Sequence, residues 1–277
     1  MYIFTIVVLS ENSSGYVMKR EQISIQLYCF REFIKTPEQL VSTLEKLYQT
    51  GYRSVQLTTA LPEELSAERL LDILDQTGMT AISSHERSDM IFDSPNEVIS
   101  KLKTLNIRHT AYPWPHIVPS TYDEAVVFAG KLNRLAGLFK ENGITLSYHN
   151  HAKEFLKFGG KLLLDIIYDN APLLDAEIDT FWVHKGGQSV TDRLRSLSGR
   201  MEYLHIKDYG IRYSAETGDV PCMMPVGSGN LNWQDIIQTA KSAGVKYFIV
   251  EHDADVTDPF ESFEASLRYL EENFMEQ

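Results

Sequence analysis

From Ile23 onward, short apolar runs alternate with longer amphipathic stretches. The apolar runs cover residues 23–28, 53–57, 80–84, 109–112, 145–150, 176–179, 203–206 and 247–251. They are too short for helices and mostly apolar on both parities, as strands covered on both faces are. Between them lie helix-start signals: Thr36-Pro37-Glu38-Gln39, Ser94-Pro95-Asn96-Glu97, Thr121-Tyr122-Asp123-Glu124 and Asp258-Pro259-Phe260-Glu261. Each sets a capping side chain before the first turn, three of them with proline at its first position. Gly51, Gly78, Gly143 and Gly244 follow helical patterns just before a strand, where a left-handed cap belongs. Eight strand–helix repeats with short connections predict a parallel sheet closed into a single (β/α)8 barrel. An open doubly wound sheet would place a glycine-rich loop after its first strand, and Cys29-Phe30-Arg31-Glu32 is not one.

Residues 112–120 and 208–232 are the long connections. Both leave the C-terminal ends of strands, so they are expected to wall the barrel mouth and to act as lids. No linker or low-complexity segment divides residues 23–277, which are expected to form one domain.

The chain has 277 residues, 43% of them hydrophobic, enough for one barrel core. Its 26 basic and 38 acidic residues give a net charge of −12, which disfavours nucleic acid as a partner. Cys29 and Cys222 form no CxxC pair, so a reducing cytoplasm is the expectation. The first ten residues are apolar but too short to span a bilayer, and no basic segment precedes them. Residues 1–22 are expected to be an N-terminal extension, with Met18 as the natural start; a signal peptide is the alternative. No membrane association is expected, and assembly into a homo-oligomer is left open.

Four strand ends carry chemistry: Tyr148-His149-Asn150-His151, Asp179-Thr180-Phe181-Trp182, His205-Ile206-Lys207-Asp208 and Glu251-His252-Asp253. In a closed parallel barrel such ends converge on one mouth. Imidazole and carboxylate together suit one divalent ion of the Mn, Co, Zn or Mg type. On strand alternation His149 and His151 point to the same side. His151 leads as acid/base group because imidazole titrates nearest neutrality, with Lys207 and Glu154 as further candidates. His85, at the end of the third strand, and Arg31, just past the first, are candidate substrate contacts, and Trp114 and Trp182 offer flat apolar platforms for a sugar face. Each has a plainer reading as well: a cap, an ion pair or core packing.

In this order the blocks Ile25-Gln26-Leu27-Tyr28 with Arg31, Tyr148-His149-Asn150-His151 with Glu154-Phe155, Asp179 with Trp182, His205-Ile206-Lys207-Asp208, Gly227-Ser228-Gly229 with Trp233, and Glu251-His252-Asp253 resemble the sugar phosphate isomerase/epimerase family. These are xylose-isomerase-like barrels, related to inosose dehydratases and endonuclease IV. The resemblance implies a single divalent metal held at the ends of strands five to eight, by Glu, Asp, His and Glu in the family. Carried over, the last three become Asp179, His205 and Glu251. Strand five departs from the pattern: His149 stands where the family glutamate is expected and becomes the fourth candidate ligand.

The resemblance implies a metal-dependent isomerase or epimerase acting on a keto-sugar, sugar phosphate or cyclic polyol. The reaction would begin by proton removal beside a metal-polarised carbonyl. With Glu251 alone left of the family's two carboxylates, a single-base isomerisation or elimination is favoured over two-base epimerisation. A dehydratase of the inosose type, a phosphodiester hydrolase and a non-catalytic sugar-binding barrel are the alternatives.

Overall fold

The computed structural model describes residues 17–275. Eight strands close a parallel barrel: β1 (Ile23–Gln26), β2 (Ser54–Leu57), β3 (Thr80–His85), β4 (His109–Tyr112), β5 (Thr145–His149), β6 (Asp175–Asp179), β7 (Tyr203–Ile206) and β8 (Tyr247–Val250). They pair in chain order, and β8 returns to β1 through Ile23 beside Phe248 and Ile25 beside Val250. The expected strands match these to within two residues at each end.

The caps account for where the helices begin. The hydroxyl of Thr36 accepts from the amide of Gln39 at 3.3 Å, and that of Thr121 from Glu124 at 3.2 Å. The Asp258 carboxylate accepts from Phe260 and Glu261. Ser94 differs, with no side-chain cap bond. A short helix, Ser88–Asp93, runs directly into Pro95–Thr104, and the Ser94 amide is used to close the first by donating to Met90. Helices then bury one stripe each: Leu40, Leu44 and Leu47 on Pro37–Thr50 are all fully buried at the spacing of one helix face. This layer between strands and helices is the main apolar core.

The inside of the barrel is different. Gln56, Ser83, His109, Ser147 and Glu177 are buried there and bonded to one another's neighbours across the lumen. Barrel interiors are more usually filled with branched apolar side chains. His109 donates or accepts at Ser83 and Ser147, 2.7 Å on each side, and its ring stacks on Tyr203 at 3.8 Å.

One expectation needed revision. The stretch after β7 is not an open loop. Asp208–Ser214 and Gly218–Met224 pair as an antiparallel hairpin, turning at Gly218 with φ 67°. The alternation Tyr209, Ile211, Tyr213 was its signal. Residues 1–16 of the expected extension lie outside the described residues; within the rest of it, Met18 is buried and bridges Met275. Arg20 bonds to the carbonyl of Gly51 and pairs with Glu271.

Candidate metal centre and active site

Strand register brings the sequence-chosen groups to one mouth. His205 on β7 lies beside Asp179 on β6, and Ile249, two residues before Glu251, is its partner on β8. Ligand atoms of His149, Asp179, His205 and Glu251 all lie within 4.8 Å of one another, and all four residues are buried. His149 Nε2 is 3.7 Å from Asp179 Oδ2 and 4.0 Å from Glu251 Oε2. Asp179 divides its work: Oδ1 caps the helix Thr180–Lys185 by accepting from the Trp182 amide at 3.0 Å, and Oδ2 faces the cluster.

Among the described residues, neither ring nitrogen of His149 nor Oδ2 of Asp179 has a hydrogen-bond partner. Buried polar atoms left so are costly unless something binds them. A cation supplies what they lack, and the donor set suits a divalent metal. The surrounding charge agrees: the carboxylates of Asp179, Glu251 and Asp253 stand around the Lys207 ammonium, and Glu177 faces His205.

Lys207 is fully enclosed, 3.0 Å from Asp253, 3.3 Å from Glu251 and 3.6 Å from Asp179. Burial opposes its charge, but those three carboxylates outweigh it and hold its pKa far above the ordinary lysine value. Burial also works against His205, yet Glu177 and Glu251 push its pKa up to about 10. Glu251 is buried too, and the charges of Lys207 and His205 hold its carboxyl well below the usual range.

Above the cluster lies a cavity of about 460 Å³, lined among others by His85, Trp114, His149, His151, Trp182 and Glu251. The His151 ring stands between Trp114 (4.6 Å) and Trp182 (5.3 Å). Its Nδ1 is buried without a partner. Burial, aided by His149 and Lys207, holds its pKa well below the ordinary histidine value, so the ring is neutral. Trp114 is 56% exposed at the rim, with the Lys153 ammonium 3.4 Å above its ring.

Other expected groups are engaged by partners within the chain. Glu154 is fully buried behind the wall, its carboxylate accepting from the Tyr148 hydroxyl and the His151 amide. Arg31 donates to the carbonyls of Tyr28 and Asp253 and lies over the Tyr28 ring. His85 reaches the cavity, but both its nitrogens are engaged, by Gln26 and Glu177. Glu177 and Gln56 were not singled out from the sequence, and Asp253 was named only as part of its strand-end block. Glu177 lies two residues before Asp179 on one strand, so the alternation that points Asp179 inward points it inward too.

Gly227-Ser228-Gly229 does not face a ligand. The amides of Gly227, Gly229 and Leu231, and the indole N–H of Trp233, all donate to the carboxylate of Asp208.

Fold and site together define a parallel barrel with an imidazole–carboxylate cluster at its C-terminal mouth. The chain belongs to the xylose isomerase-like TIM barrel family, whose profile matches residues 44–273. Curated protein sequences return no match. Among solved structures, a sugar phosphate isomerase/epimerase from Parabacteroides distasonis is 21% identical, with a TM-score of 0.73 over 97% of this chain and 98% of that one. A probable 3-DHS dehydratase from Bacillus anthracis is 13% identical, TM-score 0.68, over 90% and 98%. A xylose isomerase-like barrel from Mycobacterium smegmatis, in complex with magnesium, is 14% identical, TM-score 0.69, over 91% and 96%. At such identities the likeness is one of fold. Among the described residues no helix is long and apolar enough to cross a membrane.

Proposed function

We propose that the protein is a divalent-metal-dependent isomerase of an unphosphorylated keto-sugar or cyclic polyol. The observation that carries this is the neutral, unpartnered Nδ1 of His151, on a cavity wall directly beside the four-residue cluster. His149, Asp179, His205 and Glu251 would hold the ion. Bound there, the ion supplies Lewis-acid polarisation of a substrate carbonyl and its neighbouring hydroxyl.

The rest is work for the chain's own groups. His151 takes the proton from the hydroxyl-bearing carbon next to the carbonyl and returns it to the former carbonyl carbon from the same face, while the hydroxyl proton passes to the former carbonyl oxygen. Burial keeps its ring unprotonated at neutral pH, and the Glu251 carboxylate favours the imidazolium formed when it accepts. Trp182 and Trp114 flank it and offer apolar faces to the C–H side of a sugar ring. Lys207 does not give up its proton; it is a fixed charge that offsets the mutual repulsion of Asp179, Glu251 and Asp253 beneath the cavity.

How the nearby cations are used supports an unphosphorylated substrate. Arg87 at the rim is paired with Asp89 at 2.6 Å, Arg31 is spent on backbone carbonyls, and Lys207 is enclosed by carboxylates. In barrel enzymes the loops after strands seven and eight commonly take a phosphate. Here the amides after β7 are filled by Asp208.

Proton abstraction is testable without knowing the product. Manganese-loaded protein is incubated in D2O with a panel of unphosphorylated keto-sugars and cyclic polyols, and exchange beside the carbonyl is followed by proton NMR. Exchange with at least one member is expected, and loss of it in His151→Asn. Loss of a hydroxyl instead of its migration would make the enzyme a dehydratase, as the Bacillus anthracis neighbour is named. Binding without exchange across the panel would leave a sugar-binding barrel.

A further inference from the structure

Glu177 has neither a ligand nor a catalytic role in the reading so far, yet Gln56, His85 and His205 all meet it beneath the mouth. It is fully buried. Its Oε2 accepts from Gln56 Nε2 at 2.9 Å, and Gln56 stands on β2, the strand opposite β6 in the closed barrel. Its Oε1 accepts from His85 Nε2 at 2.5 Å and faces His205 Nε2 at 3.0 Å. The latter contact is off the line of an N–H bond, so it is ionic in this conformation.

The direction of every proton below Glu177 is fixed by one backbone amide. The Tyr28 N–H can only donate, and it donates to Oε1 of Gln26 at 3.1 Å. Gln26 Nε2 is therefore the donor to Gln56 Oε1 at 2.5 Å and to His85 Nδ1 at 3.1 Å. An accepting Nδ1 puts the His85 proton on Nε2, aimed at Glu177. Gln56, with its oxygen so engaged, must also point its amide nitrogen at Glu177. All the groups around this carboxylate are donors.

His205 has a carboxylate at each ring nitrogen: Glu251 at Nδ1, 2.6 Å, and Glu177 at Nε2. Glu251 belongs to the four-residue cluster and Glu177 does not. With the cluster filled, Glu177 is the carboxylate left for the second nitrogen.

We propose that Glu177 is a positioning residue of the metal centre: it keeps the His205 proton on Nε2, turns Nδ1 toward the cluster, and is itself clamped by Gln56 and His85. This rests on the metal-centre reading above. Histidines that bind metals commonly hand their other N–H to a carboxylate, and losing that partner costs about 10- to 100-fold in metal affinity.

The test compares wild type, Glu177→Gln, Glu177→Asp and Gln56→Met. Manganese affinity is measured by competition with a chelator, the visible spectrum is recorded on the cobalt-loaded proteins, and melting temperature controls for folding. In Glu177→Gln, affinity is expected to fall about 10- to 100-fold with a shifted cobalt spectrum. Stoichiometry should stay at one ion, and Glu177→Asp should recover part of the loss. Gln56→Met, which keeps the carboxylate but removes its clamp, should fall in the same direction by less.

A folded Glu177→Gln or Gln56→Met with wild-type affinity and spectrum overturns the proposal, as does a change in melting temperature alone. Two ions per wild-type chain would overturn it as well, because His85, Glu177 and His205 would then be a ligand set themselves. No ion in wild type would instead refute the metal centre, and this inference with it.

Discussion

Replacing Asp208 tests both the fold of the mouth and the choice of substrate. Its side chain is fully buried and gathers five N–H groups: Trp233 Nε1 at 2.7 Å, Tyr209 at 2.8 Å, Gly227 at 2.9 Å, Gly229 at 3.0 Å and Leu231 at 3.3 Å. In Asp208→Ala the Trp233 indole is the donor that water reaches least, since Trp233 is 2% exposed. Stranding it costs about 1–3 kcal/mol. Gly227 is exposed and its amide rehydrates, so the remaining amides add less than their number suggests. A total of roughly 2–4 kcal/mol lowers the melting temperature by about 3–7 °C in a chain of this size.

Asp208→Asn keeps one accepting oxygen and should lose about half of that. Thermal unfolding followed by circular dichroism reads both. The second readout is inorganic phosphate: it should raise the melting temperature of Asp208→Ala, whose amides are freed, and leave wild type unmoved. An Asp208→Ala protein within a degree or two of wild type would refute the energetic reasoning. Wild type stabilised by phosphate would refute the claim that the site is internally filled.

Three further outcomes follow from particular groups. Burial pushes His109 and His252 down to about 4, so the folded state holds them neutral while the unfolded chain protonates them near the ordinary histidine value. Stability is thus complete above that value and is lost as pH falls toward 4, by up to about 3 kcal/mol for each group. Burial pushes Asp175 up to about 6, which works the other way in this window, so urea unfolding at neutral and mildly acid pH is measured in Asp175→Asn, and a flat profile there would contradict the assignment. Trp114→Ala should raise KM about 3- to 10-fold, the value of one stacked aromatic contact. Because the residue is 56% exposed, its melting temperature should hold; a large drop would mean that Trp114 is packing instead. Chelation should lower the melting temperature, and manganese at about 100 times its Kd should restore about 2.7 kcal/mol. Insensitivity to both would count against the cluster as a metal centre.

The barrel was legible because strands covered on both faces are short and apolar, while the caps Thr36, Thr121 and Asp258 mark where helices begin. The four residues that converge at the mouth were legible because each ends such a run. Glu177 and Gln56 were harder to see. A strand buried on both faces shows no polar parity, so nothing along it says which side is the lumen; Gln56 between Val55 and Leu57 reads as an interruption. Once Asp179 is taken as inward, parity does assign Glu177, and that step was available. Glu154 illustrates the reverse difficulty. Its place after His149-Asn150-His151 suggests chemistry, but its bonds to Tyr148 and the His151 amide shape the turn, and only the path of the chain shows this.

The polar lumen carries a consequence for how such a barrel changes over evolutionary time. Gln26, Gln56, His85 and Glu177 form a chain in which each donor has one acceptor orientation available. A substitution at the mouth that needs His205 turned the other way would therefore have to be matched by changes on β1, β2 and β3, far apart in sequence. Loops at the rim, such as the one bearing Trp114, face no such demand. New substrates are within reach of single mutations there, whereas a new ligand set requires several at once. Apolar replacements in the lumen would tend to stabilise the barrel while erasing that orientation, so the fold carries part of its instability where its chemistry is aimed.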